Sequence, residues 1–131
     1  YVPDLPATKM EAYCYNSMFA NCTSLIFAPE LPAKRLESNC YQHMFEGCTS
    51  LTSAPELPAT ELVSNCYEFM YKDCRNLRYV IGLFTTEPSE KTTEDWLSGV
   101  AASGTFIKSK KATWDVTGVH GIPEGWKIET W

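Results

Sequence analysis

Several features that would point to a particular partner are missing from this chain of 131 residues. Lys and Arg do not cluster and the net charge is −5, which argues against nucleic acid or an anionic membrane as the main partner. No apolar run approaches the roughly 18–20 residues of a membrane span, so we expect no membrane insertion by this segment. The hydrophobic fraction of 44% is sufficient to build a core.

Motifs of familiar catalytic and cofactor sites are also missing. The chain contains no glycine-rich phosphate loop, no nucleophile elbow and no His-Glu-x-x-His sequence. His43 occupies a repeat position that Ser17 and Phe69 occupy elsewhere, and His120 lies in a different register. The sequence therefore predicts a protein that is not an enzyme, with no catalytic residues and no cofactor.

What the sequence does contain is an internal repeat. Leu-Pro-Ala begins at Leu5, Leu31 and Leu57, which defines a 26-residue period, and further columns keep this spacing without a gap. The clearest of these columns are Cys14, Cys40 and Cys66; Cys22, Cys48 and Cys74; Tyr15, Tyr41 and Tyr67; Met18, Met44 and Met70; and Leu25, Leu51 and Leu77. Such a period is typical of repeat proteins whose units stack and share one core.

Each repeat divides into two halves with different patterns. Across residues 40–48, apolar residues recur at i, i+1, i+4, i+5 and i+8, which predicts one face of a short helix. Asn39 and Gln42 have the spacing of an N-cap and its reciprocal partner. Residues 51–58 are too few for a helix and contain Pro55, which predicts an extended segment whose hydrogen bonding is interrupted at the proline.

The repeat unit, Cys-Tyr-x-x-Met-Phe-x-x-Cys-Thr-Ser-Leu-x-x-Ala-Pro-x-Leu-Pro-Ala, resembles the BspA-like leucine-rich repeats of surface proteins from gut Bacteroides and their relatives. Residues 95–100, 104–106 and 121–126 resemble the usual ending of such chains, so the likeness covers nearly the whole sequence. The resemblance implies a secreted or outer-surface protein whose repeats act in adhesion or ligand binding, with no shared catalytic residues. The last repeat departs from the pattern, because Val80 and Ile81 replace Ala-Pro.

Repeat and resemblance together predict an α/β repeat fold. We expect a right-handed leucine-rich-repeat solenoid of 26-residue units, each an extended segment plus a short helix, with a small mixed C-terminal cap. Residues 1–83 would form about three repeats and residues 84–131 the cap. Within the cap, we predict a short helix over residues 93–100 and strands at residues 105–108 and 126–129.

The beginning of the chain carries its own prediction. Tyr1 aligns with Phe27 of the next repeat, so the chain starts inside an extended segment and shows no N-terminal cap. We expect it to be the C-terminal piece of a longer protein. An uncapped end also allows self-association of two copies through that end.

Six cysteines leave three interpretations open. Two cysteines of one repeat lie about 12 Å apart along a helix, beyond the roughly 7 Å limit for a disulfide. A bridge between successive units, such as Cys22 to Cys40, stays conceivable. A zinc site has the least support, because no Cys-x-x-Cys is present. We favour a ladder of buried thiols and predict no metal ligand.

Candidate ligand-binding residues lie in the variable columns beside the extended segments. Four residues of these columns are predicted to bind a ligand: Phe27, Tyr79, Ile26 and Arg78. Exposed aromatic side chains suit a protein or glycan ligand, whereas the alternative is that Phe27 and Tyr79 pack against neighbouring repeats. Trp114 and Trp131 could likewise form a sugar-stacking platform or pack in the core.

The predicted function follows from these columns and from the resemblance. We expect a non-catalytic recognition or adhesion module that binds a host protein or glycan at the cell surface. The alternative is a structural spacer that displays a functional domain upstream. Aromatic residues exposed together on one face would favour the recognition module.

Overall fold

The computed structural model describes residues 15–131. Its regular elements are β1 (Tyr79–Gly82), α1 (Glu90–Thr93), β2 (Thr105–Lys108) and β3 (Lys127–Thr130). The strands form a parallel sheet in the order β1-β2-β3. In the described residues we find no helix long and apolar enough to cross a membrane. The predictions on Tyr1, Cys14 and the uncapped N-terminal end fall outside the described residues.

The predicted fold class, a leucine-rich-repeat solenoid with one helix per repeat, is wrong. Residues 40–47 and 64–73 form continuous turns, and the single helix among the described residues, α1, has four residues. The reason lies in the backbone dihedral angles. Asn39, His43 and Gly47 have φ values of +60°, +58° and +75°. A residue in the left-handed region at every fourth position prevents a right-handed helix from continuing.

Backbone hydrogen bonds explain how these turns are satisfied without a helix. The odd-numbered residues from Asn39 to Gly47 donate their N–H groups to carbonyls of the next repeat, at N···O distances of 2.8–3.1 Å. The even-numbered residues from Cys40 to Cys48 donate within their own turn, at 3.1–3.4 Å. Because φ is positive at Asn39, His43 and Gly47, the backbone conformation repeats at every fourth residue, which is two steps of this alternation. Residues 40–48 cover only two such four-residue units. Over so short a stretch, an apolar spacing of four residues cannot be distinguished from the helical period of 3.6, and the sequence pattern therefore predicted a helix.

The repeat columns stack on one another inside the molecule. The rings of Tyr15, Tyr41 and Tyr67 lie 6.0 Å apart and within 8° of parallel. A second column stacks Phe45 on Phe19 at 5.6 Å and on Tyr71 at 5.5 Å. The core also contains Met44, Leu51, Leu57, Met70 and Leu77, all fully buried. The repeats thus share one core although they contain no helix.

Strands appear where the repeat loses its proline. The column of Pro29 and Pro55 continues as Ile81 in β1 and Ile107 in β2. β1 pairs with β2 in the register of the repeat, since Tyr79 lies opposite Thr105. Between the second repeat and β1, four backbone hydrogen bonds at 2.9–3.1 Å join the segments, but the only ladder pairing among the described residues is an isolated bridge from Leu57 to Gly82. The β-branched residues that replace proline can both donate to the ladder and pack in a sheet.

The C-terminal region continues the turn pattern. The helix predicted over residues 93–100 is wrong, because α1 ends at Thr93 and the residues that follow form turns. Asp95 and Gly99, with φ values of +46° and +78°, occupy the columns of Phe69 and Asp73. The strand predicted at residues 105–108 is confirmed as β2, and that at 126–129 is displaced by one residue as β3. The proposed boundary between residues 83 and 84 stays a prediction.

Three tryptophans hold the C-terminal region against the stack. The indole N–H groups of Trp96, Trp114 and Trp126 donate to the carbonyls of Gly121, Phe84 and Ala101, at 2.9, 3.0 and 2.8 Å. All three side chains are buried. A buried indole that finds a backbone acceptor contributes its large apolar area without leaving a polar group unpaired.

Candidate functional site

The four predicted binding residues are all exposed. Phe27 is 77% exposed, Ile26 54% and Tyr79 36%, and Arg78 is exposed as well. For Phe27, the alternative that it packs against a neighbouring repeat is therefore wrong. A phenylalanine this exposed leaves most of its apolar surface in water, which is unfavourable by roughly 25 cal/mol for each Å².

Backbone contacts place these residues on one side of the stack. The Arg78 N–H donates to the Thr52 carbonyl at 3.0 Å, and the Ala54 N–H donates to the Tyr79 carbonyl at 2.9 Å. Ser53 thus lies beside Tyr79, and it lines a common groove with Phe27. The structure brings Phe27 and Tyr79 to the same strand-bearing face, one on each side of the second repeat. We call this the aromatic face.

An open groove of about 510 Å³ lies on the aromatic face beside Phe27. Its lining is mostly apolar and includes Leu31 and the prolines Pro32, Pro55 and Pro58. A second open groove, of about 610 Å³, is lined by Ile26, Phe27 and the side chains toward Phe19 and Cys22. Phe27 therefore stands between two grooves.

The polar side chains of the first groove are mainly acidic. Its three prolines have no backbone N–H, so Pro32, Pro55 and Pro58 offer a ligand no main-chain donor. The carboxylates of Glu30 and Glu56 are exposed at this groove, and Lys34 is the one cation that lines it. Our sequence reasoning missed these residues. The signal that could have found them is the Pro-Glu-Leu-Pro-Ala unit, whose prolines and glutamate recur from one repeat to the next.

Four of the five described cysteines are buried in the repeat columns, as predicted, whereas Cys22 is exposed. Cys22, Cys48, Cys66 and Cys74 are free thiols, so the alternative of a Cys22–Cys40 disulfide is wrong. The Cys48 Sγ donates to the Phe19 carbonyl at 3.1 Å, and the Cys74 Sγ donates to the Phe45 carbonyl at 2.9 Å. Each bond joins one repeat to the repeat before it.

Burial controls the chemistry of these thiols. Loss of solvation raises the pKa of Cys48 to about 11 and the pKa of Cys66 and Cys74 to about 12. A thiol must lose its proton to act as a nucleophile or as a metal ligand. The three buried thiols are therefore protonated at neutral pH and serve packing.

The histidines and acidic residues make local contacts. The His43 Nδ1 lies 3.3 Å from a Glu46 carboxylate oxygen, and its ring lies 4.9 Å from that of Phe69. The His120 Nδ1 accepts a hydrogen bond from the Asp95 N–H at 3.1 Å. Over residues 15–131, no three His, Cys, Asp or Glu side chains come together as a metal site would require.

A paired sugar platform of Trp114 and Trp131 is wrong. Trp114 is buried and stacks on Phe84 with the ring centroids 5.2 Å apart. The ammonium of Lys108 lies 5.2 Å from the Trp114 ring centroid, a cation–π contact. Trp131 is 55% exposed, so only one of the two rings is open to a ligand. The aromatic face is consequently the better candidate site.

The fold and this face define the class of molecule: a chain of stacked, turn-rich repeats whose third unit opens into a parallel sheet. Comparisons with models of known families, with characterised proteins and with solved structures found no match to this chain. The resemblance to BspA-like repeat proteins therefore stays a prediction.

Proposed function

We propose that this chain is a non-catalytic recognition module that binds a polypeptide ligand on its aromatic face. The observation that carries the proposal is the exposure of Phe27, at 77%, beside an open apolar groove of about 510 Å³. Exposed apolar patches on soluble proteins mark sites of interaction more often than isolated exposed residues do. Aromatic side chains that fill a partner's pocket contribute a large share of the binding free energy at protein interfaces.

The groove chemistry favours a polypeptide over a glycan. The carboxylates of Glu30 and Glu56 present acceptors, and Lys34 and Ser53 are the side-chain donors beside them, so a ligand that supplies N–H groups fits the groove best. Backbone amides together with Lys or Arg side chains supply donors without adding acceptors that would need partners, whereas each sugar hydroxyl adds both. Glu30 and Glu56 also complement a cationic segment better than an anionic one.

Location remains part of the proposal. We place the module at the cell surface or outside the cell, where a host protein would be its ligand, on the strength of the sequence resemblance alone. The competing function is a structural spacer, which needs no exposed aromatic residues on one face.

The test is a binding screen with a matched control variant. The chain is applied to immobilised matrix proteins, mucins, cationic and anionic peptides, and glycans. Three forms are compared: wild type, the double variant Phe27→Ala/Tyr79→Ala, and Val119→Ala, which truncates a 50% exposed side chain outside the aromatic face.

We expect a polypeptide ligand whose affinity falls at least about tenfold in the double variant and stays unchanged in Val119→Ala. A ligand bound equally by all three forms would place the site elsewhere. Binding confined to glycans would overturn the polypeptide class. No binding by wild type across the whole screen would favour the spacer.

A further inference from the structure

The outer edge of β3 is a second surface at which this chain can meet a partner. All four residues of β3 are exposed, and the apolar side chain of Ile128 is 38% exposed. β3 ends the sheet, because it pairs with β2 on one side and no described strand pairs with it on the other. Such an edge presents unpaired backbone groups to any strand that can approach it.

Hydrogen bonds to β2 identify the backbone groups that point outward. The Lys127 N–H donates to the Gly104 carbonyl at 2.9 Å, and the Trp131 N–H donates to the Lys108 carbonyl at 3.0 Å. Successive residues of a strand direct their amide groups to opposite sides, so Ile128 and Thr130 direct theirs to the open edge.

The charges on this edge are arranged so that one copy complements another. Lys127 and Glu129 share one face of β3, and their Nζ and Oε1 atoms lie 2.9 Å apart. In an antiparallel pair centred on Ile128, Lys127 of each copy faces Glu129 of the other. The two Ile128 side chains then lie side by side on the other face of the sheet from Lys127 and Glu129. A parallel, in-register pair would instead place Lys127 against Lys127, which is destabilising.

We propose that β3 pairs antiparallel with β3 of a second copy of this chain, about a two-fold axis at Ile128. The Ile128 N–H of each copy donates to the Ile128 carbonyl of the other, and the three-stranded sheets join into one of six strands. The interface is isologous, so both copies use the same patch. This inference does not rest on the proposed function.

Because the shared surface is short, we expect a weak dimer. Sedimentation velocity is measured on wild type from roughly 10 μM to 1 mM, the range in which a small interface associates. The weight-average mass rises toward that of two chains with concentration. A mass that stays at that of one chain up to the highest concentration overturns the proposal.

Charge variants test the register. Lys127→Glu and Glu129→Lys each place like charges opposite one another, and each weakens self-association by about tenfold. An equimolar mixture of the two variants pairs two Glu with two Lys and recovers association. The double variant Lys127→Glu/Glu129→Lys is self-complementary again and associates like wild type. A mixture that stays as monomeric as its components contradicts the antiparallel register.

A proline variant tests the backbone contact. Ile128→Pro removes an N–H that points away from β2, so the fold is kept while the edge loses its central donor. Ile128→Val keeps the N–H and a branched side chain, and serves as the control. We expect Ile128→Pro to melt within a few degrees of Ile128→Val and to stay monomeric at the highest concentration tested. Association that persists in a folded Ile128→Pro variant uses another surface and overturns the proposal.

Discussion

The two sides of the stack follow the same repeat period and differ in how their backbones bond. On the turn side, residues 39–47 and 65–73 use the same alternation of local and inter-repeat hydrogen bonds. On the strand side, the segment with Pro55 is hydrogen-bonded to the third repeat but forms only an isolated bridge, whereas the segment with Ile81 is a strand. The turn side therefore depends on a left-handed residue at every fourth position, and the strand side depends on whether a single column carries proline.

The strand side gives the largest expected effect. The Thr105 N–H donates to the Arg78 carbonyl, and Thr105 lies opposite Tyr79. Successive residues of a strand direct their backbone groups to opposite sides. The N–H of Val80 therefore faces β2, and the N–H of Ile81 faces the second repeat. We expect Val80→Pro to lower the free energy of unfolding by about 4 kcal/mol, from a lost ladder bond and an emptied core position. Ile81→Pro should cost much less in urea denaturation. Equal losses would contradict the assigned direction of these amides.

The shared interior gives the next effect. Leu51 is fully buried in the second repeat, so we expect Leu51→Ala to cost about 2–5 kcal/mol through lost burial and a residual cavity. Leu25, in the same column, is only half-buried and serves as the comparison. Leu25→Ala should cost clearly less in the same denaturation experiment. An unchanged stability for Leu51→Ala would remove this column from the core.

Alkaline pH tests the buried thiols of the turn side. In the unfolded chain these thiols have a pKa of 9.0, and burial raises it to about 11 for Cys48 and about 12 for Cys74. The folded state therefore holds protons that the unfolded state releases, so stability is full below pH 9 and falls as the pH rises toward 12. We expect each of these two thiols to contribute a loss of about 2–3 kcal/mol by pH 11. In Cys74→Ala the decline should be shallower.

The turn geometry predicts a smaller loss at Gly47. Its φ of +75° is unfavourable for any side chain, and an added Cβ would contact the Asn21 side chain. We expect Gly47→Ala to lower the free energy of unfolding by about 1–2 kcal/mol. Gly47→Asn should lower it less, because asparagine adopts positive φ more readily than alanine does. A thermal melt of both variants checks this order. No loss in either variant would show that the turn can relax.

The smallest effect is a gain in stability. The hydroxyls of Tyr67 and Tyr71 are buried without a hydrogen-bond partner among the described residues. Phe19 and Phe45 occupy the column of Tyr71 without such a group. We expect Tyr71→Phe to raise the free energy of unfolding by about 1 kcal/mol, because it removes an unpaired buried hydroxyl and keeps the ring. A loss of stability would mean that this hydroxyl is satisfied in solution.

Sequence reasoning found the stacking columns and missed the backbone conformation. Identical residues at a fixed spacing predict stacking, and the ring columns of Tyr41 and Phe45 follow it. The helix failed as a prediction because apolar residues spaced by four fit a helix and a chain of turns equally well. Asn39, taken as a helix N-cap, instead occupies the left-handed region at φ +60°.

The candidate site was only partly accessible to the same reasoning. Variable columns between apolar ones identified Ile26, Phe27, Arg78 and Tyr79 as candidate ligand-binding residues, and the structure exposes all four. The first groove was not predicted, because its prolines and Glu30 lie in columns that repeat, and repeating columns were interpreted as structural. The outward direction of the amide of Ile128 depends on pairing with β2, which no local pattern predicts.

The repeat period, the buried columns and the positions that lack a backbone donor were determined by the sequence itself, because each depends on residue type and spacing. The tertiary structure alone decided whether a column of four-residue period becomes helix or turns, since the deciding hydrogen bonds join one repeat to the next. It also decided which strand ends the sheet. Both outcomes depend on partners distant along the chain, and a local sequence pattern carries no information about which distant carbonyl an N–H will meet.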